Sequence, residues 1–182
     1  RAVVLIVGIE GQAVEPQAVM IGGAVAVPAI RFSPDGALVA SIDLQAIRLR
    51  DPATQRLAYT LRSETSMFTI AFSPDGTRLA AGELGNQVRI WNLAKQEQIA
   101  LFHADAGASD PARSFMWSID FNPGGDFLAA GSSTGMITIW SLPDGEIAQV
   151  IAAHTKAVSG LAFDPAGHRL ASCGLDAALR IW

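Results

Sequence analysis

The chain has 182 residues, of which 50% are hydrophobic and 16% charged, and its formal net charge is −4. That length suits one domain with a sizeable core, and the apolar content excludes intrinsic disorder. The thirteen Lys and Arg are scattered singly, which argues against the clustered basic surface that duplex binding needs. No stretch reaches the roughly 18 apolar residues of a membrane helix, so no membrane insertion is expected. Cys173 is the one cysteine, so no internal disulfide framework exists. It lies in a predicted strand and reads as a small buried apolar residue. The chain starts on Arg1 and not on Met, so the lack of a targeting segment carries no weight. A cytoplasmic setting is the expectation.

Taken in order, residues 2–7 form a short β-branched run that reads as a buried strand, and a second strand spans residues 18–21. Strands are then predicted at 27–32, 38–42, 46–50 and 56–61. The next group is 67–72, 78–82, 87–91 and 97–102. A third follows at 116–121, 127–131, 136–140 and 146–151, and a last at 158–163, 169–173 and 178–182. Between the first two strands of a group stands a tight turn: Pro34-Asp35-Gly36, Pro74-Asp75-Gly76, or the variant Pro123-Gly124-Gly125. Pro presets φ at the first turn position, and Gly accepts the positive φ that closes the reversal.

These groups are copies of one unit. Phe32, Phe72, Phe121 and Phe163 are spaced by 40, 49 and 42 residues. Trp91, Trp140 and Trp182 each fall nineteen residues after their Phe, while Arg50 takes the Trp place in the earliest copy, one residue short. Three copies close on Ile-Trp, two carry Phe-Ser-Pro-Asp-Gly, and the last adds His154 at its start and Asp176 six residues before its Trp. A period in this range is the mark of a repeat architecture.

In this shared register the chain resembles the WD-repeat β-propeller family over about residues 14–182. It departs from the family pattern where Asn92 and Ser141 follow Trp in place of Asp. The resemblance implies an all-β fold: a propeller of four-stranded antiparallel blades packed side by side. The expected organisation is a single partial propeller over 1–182. It has a strand pair at 2–21 and repeats at about 22–62, 63–102, 103–151 and 152–182. The predicted strands number 17, and the two end groups total five strands where one closing blade needs four. A seven-bladed ring needs on the order of 290 residues. The expectation is therefore an incomplete ring whose remaining blades belong to a longer parent chain.

His154, Ser172 and Asp176 supply the residue types of a nucleophilic triad. However, Ser172 lies inside a predicted strand and no Gly-x-Ser-x-Gly elbow exists. The resemblance implies instead that His154, Ser172, Asp176 and Trp182 form a buried hydrogen-bonded set that holds the blade together. The other copies lack it: Gly23, Ser63 and Ala112 stand in the His place, and Gly85 and Thr134 in the Asp place. Those blades are expected to rely on packing. His103, Asp105 and Asp110 lie in one Gly/Ala/Ser-rich link without a supporting Cys or His pair, which reads as a solvated loop and not a metal site. Nothing in the sequence asks for a cofactor or a metal, and no catalytic residue is proposed.

The leading function is a scaffold that binds a protein or peptide on one propeller rim, with no chemistry of its own. The link from His103 to Ser114 carries the insertion that stretches one period to 49, and long loops on rigid scaffolds often hold function. Alignment of Met116 with Val158 turns Met116 inward, so Phe115 and Trp117 should face the rim, with Phe68 in the Trp117 place one copy earlier. The expected partner patch is Phe68, Phe115 and Trp117, rimmed by Glu83 and Asp110. The alternative is a propeller that gates a hydrolase or peptidase domain lying outside these residues.

Overall fold

A computed structural model describes residues 29–104, 113–142 and 144–182, together with two strands at residues 2–6 and 17–21. Asp110, Pro143 and most of the long inserted link lie outside the described residues. Strands β1 (Ala2–Ile6) and β2 (Gln17–Ile21) pair antiparallel. Three four-stranded sheets follow. Blade 1 is β3 (Ile30–Phe32), β4 (Val39–Asp43), β5 (Ala46–Arg50) and β6 (Leu57–Arg62). Blade 2 is β7 (Met67–Phe72), β8 (Arg78–Glu83), β9 (Gln87–Asn92) and β10 (Glu97–His103). Blade 3 is β11 (Met116–Phe121), β12 (Phe127–Ser132), β13 (Met136–Ser141) and β14 (Ile147–Ala152). Blade 4 has three strands, β15 (Val158–Phe163), β16 (Leu170–Gly174) and β17 (Leu179–Ile181). Each sheet is an antiparallel meander in chain order, and no α-helix occurs among the described residues.

The blades stack face to face, and the core lies between them. One cluster joins Ile42, Ile47 and Leu49 of blade 1 to Met67, Ile70, Leu79 and Trp91 of blade 2. A second joins Val88 and Ile90 to Met116, Ile119, Phe121 and Trp140. A third joins Ala129 and Ile137 to Val158 and Leu170. Each fully buried Leu, Ile or Met contributes about 2 kcal/mol. Because inner sheets are covered on both faces, their strands lack clean apolar/polar alternation. The outermost strands β10 and β14 are largely exposed.

Two glycine positions set how closely blades approach. A Cβ added at Gly82 would stand 2.6 Å from Met116 Cβ, and one at Gly131 2.6 Å from Val158 Cγ1. Only glycine admits the next blade's first strand there. On the rim of the tight turns, Gly76, Gly125 and Gly167 hold φ of 68°, 73° and 72°. A Cβ at these glycines would lie 3.7, 3.6 and 3.3 Å from Cδ of Pro34, Pro74 and Pro123 respectively. The glycine of each turn thus faces the proline of the turn before it, which keeps the blades in step.

The expected strand at 27–32 starts later among the described residues, at Ile30, and β8 runs one residue further than expected, to Glu83, which pairs with Gln87. One expectation is corrected outright: Cys173 is exposed. It occupies the register place of Gly82 and Gly131, which Met116 and Val158 cover from the following blade. Among the described residues no blade covers that face of the last sheet, and Leu179 and Ile181 are 70% and 65% exposed there. Among the described residues no ladder joins the last sheet to β1 and β2, and the ring is not closed.

Candidate functional site

The last blade carries a connected polar set. The His154 side chain is fully buried, with Nδ1 2.8 Å from Asp176 Oδ1 and Nε2 2.9 Å from Ser172 Oγ. The Trp182 indole N–H donates to Ser172 Oγ at 3.0 Å. Burial alone would push the Asp176 carboxyl up, but hydrogen bonds from His154, the Thr155 and Ala178 backbone N–H groups and Arg180 outweigh it. They hold the carboxyl well below the usual range. An ionised Asp176 accepts only, which calls for a proton on Nδ1, while Arg180 Nη1, a donor, stands 2.7 Å from the same Nδ1, so Asp176 and Arg180 compete for that ring nitrogen. The contacts match those of a nucleophilic triad, but Ser172 is 2% exposed and its oxygen is engaged by Trp182. The arrangement fastens β16, β17 and the segment entering β15 to one another.

Blades 1 and 2 replace this set with ion pairs, so for these two the expectation that they rely on packing is corrected. In blade 2, Arg89 Nε donates to Glu83 Oε1 at 2.8 Å and Nη2 to Oε2 at 3.1 Å. The Thr65 hydroxyl adds a 2.5 Å bond to Oε2, and Arg89 Nη1 also reaches Gln98 Oε1. In blade 1, Arg48 Nη2 lies 2.6 Å from Asp43 Oδ2. Arg48, Arg89 and Arg180 all stand two residues before the Trp place. Glu83 therefore does not rim the expected patch: it is 0% exposed, because its carboxylate serves Arg89 and Thr65 inside the blade.

The opposite rim from the tight turns collects the links between blades and the turns β4–β5, β8–β9, β12–β13 and β16–β17. Here the inner strands carry matching irregularities. The register of β7 on β8 shifts between Met67 and Thr69, and that of β11 on β12 between Met116 and Ser118. The residues passed over are Phe68 and Trp117. A bulge re-aims the side chain it carries, so Met67 and Met116 stay buried at 2% and 0% while Trp117 is 42% exposed. Phe115 is held by backbone pairing with Leu84, by its carbonyl accepting the Ser133 N–H at 2.9 Å, and by its own N–H on Ser133 Oγ at 3.2 Å. The ring of Phe115 stacks on Phe68 at 4.5 Å and meets Trp117 at 5.3 Å. The structure thus brings Phe68, Phe115 and Trp117 together on one rim. The bulges are what the sequence reading missed, since they show only once strands are paired.

The family model described as "WD domain, G-beta repeat" matches residues 55–92, 109–141 and 145–182, more than half of the chain. The chain belongs to the WD-repeat family. The first matched WD repeat runs from the outermost strand of blade 1 through β9, and the third from the outermost strand of blade 3 through β17. The sequence repeat is therefore offset by one strand from the sheet, which ties each blade to the next. The earliest copy, with Arg50 in the Trp place, is not among the matches. No curated protein matches the chain. WD repeats support a protein-interaction scaffold and are typically non-catalytic.

Proposed function

We propose that this WD-repeat arc is a scaffold that presents the rim bearing Phe68, Phe115 and Trp117 to a protein or peptide partner, without chemistry of its own. The observation that carries the reading is the pair of bulges that turn Phe68 and Trp117 out of the core onto a stack with Phe115. Large aromatics held rigid at a surface lose little entropy on binding and dominate interface energetics. The same rim carries exposed Leu44 and Leu175, and the neighbouring links hold exposed Glu64, Arg113 and Lys156. That combination suits a partner with an apolar centre and a polar surround. Asp110, the remaining expected rim residue, lies outside the described residues and stays part of the proposal on sequence grounds alone.

The test is the double variant Trp117→Ala with Phe68→Ala, followed by retention of partners and thermal melting. An anchor of this kind is worth about 2 kcal/mol or more. Partner retention should fall while the melt stays cooperative. Undiminished retention by a folded double variant would remove this rim as the site.

A further inference from the structure

The residues one place before the repeat Phe form a level of their own on the inner strands: Arg31, Ala71, Asp120 and Ala162. They carry, in successive blades, a cation, a methyl, an anion and a methyl. All four line one cavity of about 320 Å³, which Phe32, Phe72 and Leu161 also wall. This volume lies at the small end of ligand sites, and the cavity sits where the four inner strands meet, away from the aromatic rim.

The two charges do not neutralise each other. Arg31 is exposed and its Nη1 donates to the adjacent Ile30 carbonyl at 2.9 Å. Asp120 is half-buried, and its Oδ2 accepts the Phe163 N–H at 2.8 Å. Among the described residues no ion pair joins them. Burial pushes the Asp120 carboxyl up; the Phe163 and Phe121 N–H groups and the nearby Arg31 charge oppose this. The carboxylate thus senses the guanidinium across a gap that both side chains face. A simple anion in that gap meets Asp120, and a simple cation meets Arg31. A ligand that carries both charges, separated along a short chain, satisfies each wall, and the phenyl rings favour an apolar side chain between them.

We propose that this cavity binds a short zwitterionic peptide, its ammonium group on Asp120, its carboxylate on Arg31 and its apolar side chain against Phe32 and Phe72. The site is independent of the aromatic rim. Calorimetric titration with the dipeptide Ala-Leu tests it, with N-acetyl-Ala-Leu and Ala-Leu amide as probes of each charge. Capping either end should weaken binding at least tenfold. Asp120→Asn keeps an acceptor for the Phe163 N–H, so it should weaken Ala-Leu by a similar factor while leaving N-acetyl-Ala-Leu unaffected. Arg31→Gln should do the same for the uncapped peptide and spare the amide. Trp117→Ala should change nothing. No binding of Ala-Leu by the unsubstituted protein up to about 10 mM, equal binding of the capped forms, or loss of binding in Trp117→Ala would each overturn the proposal. The capped peptides test the site even where a variant fails to fold.

Discussion

Arg89 and Glu83 form a buried pair in blade 2, with Nε 2.8 Å from Oε1, at the register place where Arg180 and Asp176 meet in blade 4 at 3.2 Å. Blade 1 has the same motif as Arg48 and Asp43. The arginine is fixed at two residues before the Trp place, while the acid moves: it stands five residues before that arginine in blade 1, six in blade 2 and four in blade 4. Only the acid of blade 4 also serves a histidine. The shared device is thus an arginine on the third strand held by an acid at the end of the second strand or in the turn after it.

Breaking such a pair from one side leaves a buried charge unanswered. Glu83→Ala should destabilise the chain by about 3 kcal/mol. Glu83→Leu combined with Arg89→Leu should recover most of that loss, because replacing both partners removes the stranded charge. Denaturant melts of the single and double variants check this. A double variant no more stable than Glu83→Ala would contradict it.

Blade 3 has Thr138 in the arginine place. Its side chain is 1% exposed, and Oγ1 has no hydrogen-bond partner among the described residues. A buried hydroxyl without a partner costs stability, so Thr138→Val should stabilise by about 1 kcal/mol. A lower melting temperature would show that the hydroxyl is satisfied after all.

Much of this was legible in the sequence. The interval from Phe to Trp placed the inner and third strands of blades 2 to 4, and the alignment of Met116 with Val158 turned Trp117 outward. Glu83 was misread because burial depends on Thr65, Arg89 and Gln98, which come from the entering link and two other strands. Its signal was present but displaced: the acid shifts by a residue or two between copies, so aligning columns hides it. Cys173 was misread because its neighbours in register, Gly82 and Gly131, are covered by a following blade, and coverage is not a property of the strand itself. The bulges at Phe68 and Trp117 arise from pairing register, which one strand's pattern does not contain.

Carboxylates in the tight turns, together with Asp176, make the fold sensitive to acid. Asp75 is held down to about 2 by the Ser73 hydroxyl, then by the Thr77 backbone N–H. Asp35 is lowered chiefly by the Ser33 hydroxyl and Asp164 chiefly by the Arg169 N–H. An unfolded Asp titrates near about 3.9, so the native state binds fewer protons at these sites. Their stabilisation is complete above that value and is lost as pH falls through it towards 2. Asp120 has the opposite sign: its raised pKa means that its ionisation costs stability as pH rises. Melting temperature should therefore drop steeply below about pH 4, less so in Asp75→Asn. Asp120→Asn should melt no lower than the unsubstituted chain at neutral pH. A flat profile down to pH 2 would contradict the turn assignments.

The uncovered face and free edge of β17 invite association, since an unpaired strand edge templates pairing. The 182-residue chain should sediment as a concentration-dependent mixture, and Leu179→Lys should shift it towards monomer. Cys173 should react with iodoacetamide in the folded state. A sharp monomer at all concentrations, or a protected thiol, would count against this face being open.

The most direct measurement of the rim's role is site-specific cross-linking in the full-length protein, with a photoreactive phenylalanine analogue placed at Trp117, Phe68 or, on the opposite rim, Pro74. The expected result is one cross-linked partner shared by positions 117 and 68 and absent from position 74. Equal capture from position 74, or none from 117 and 68 while the protein still retains its partner, would contradict the rim as the binding surface.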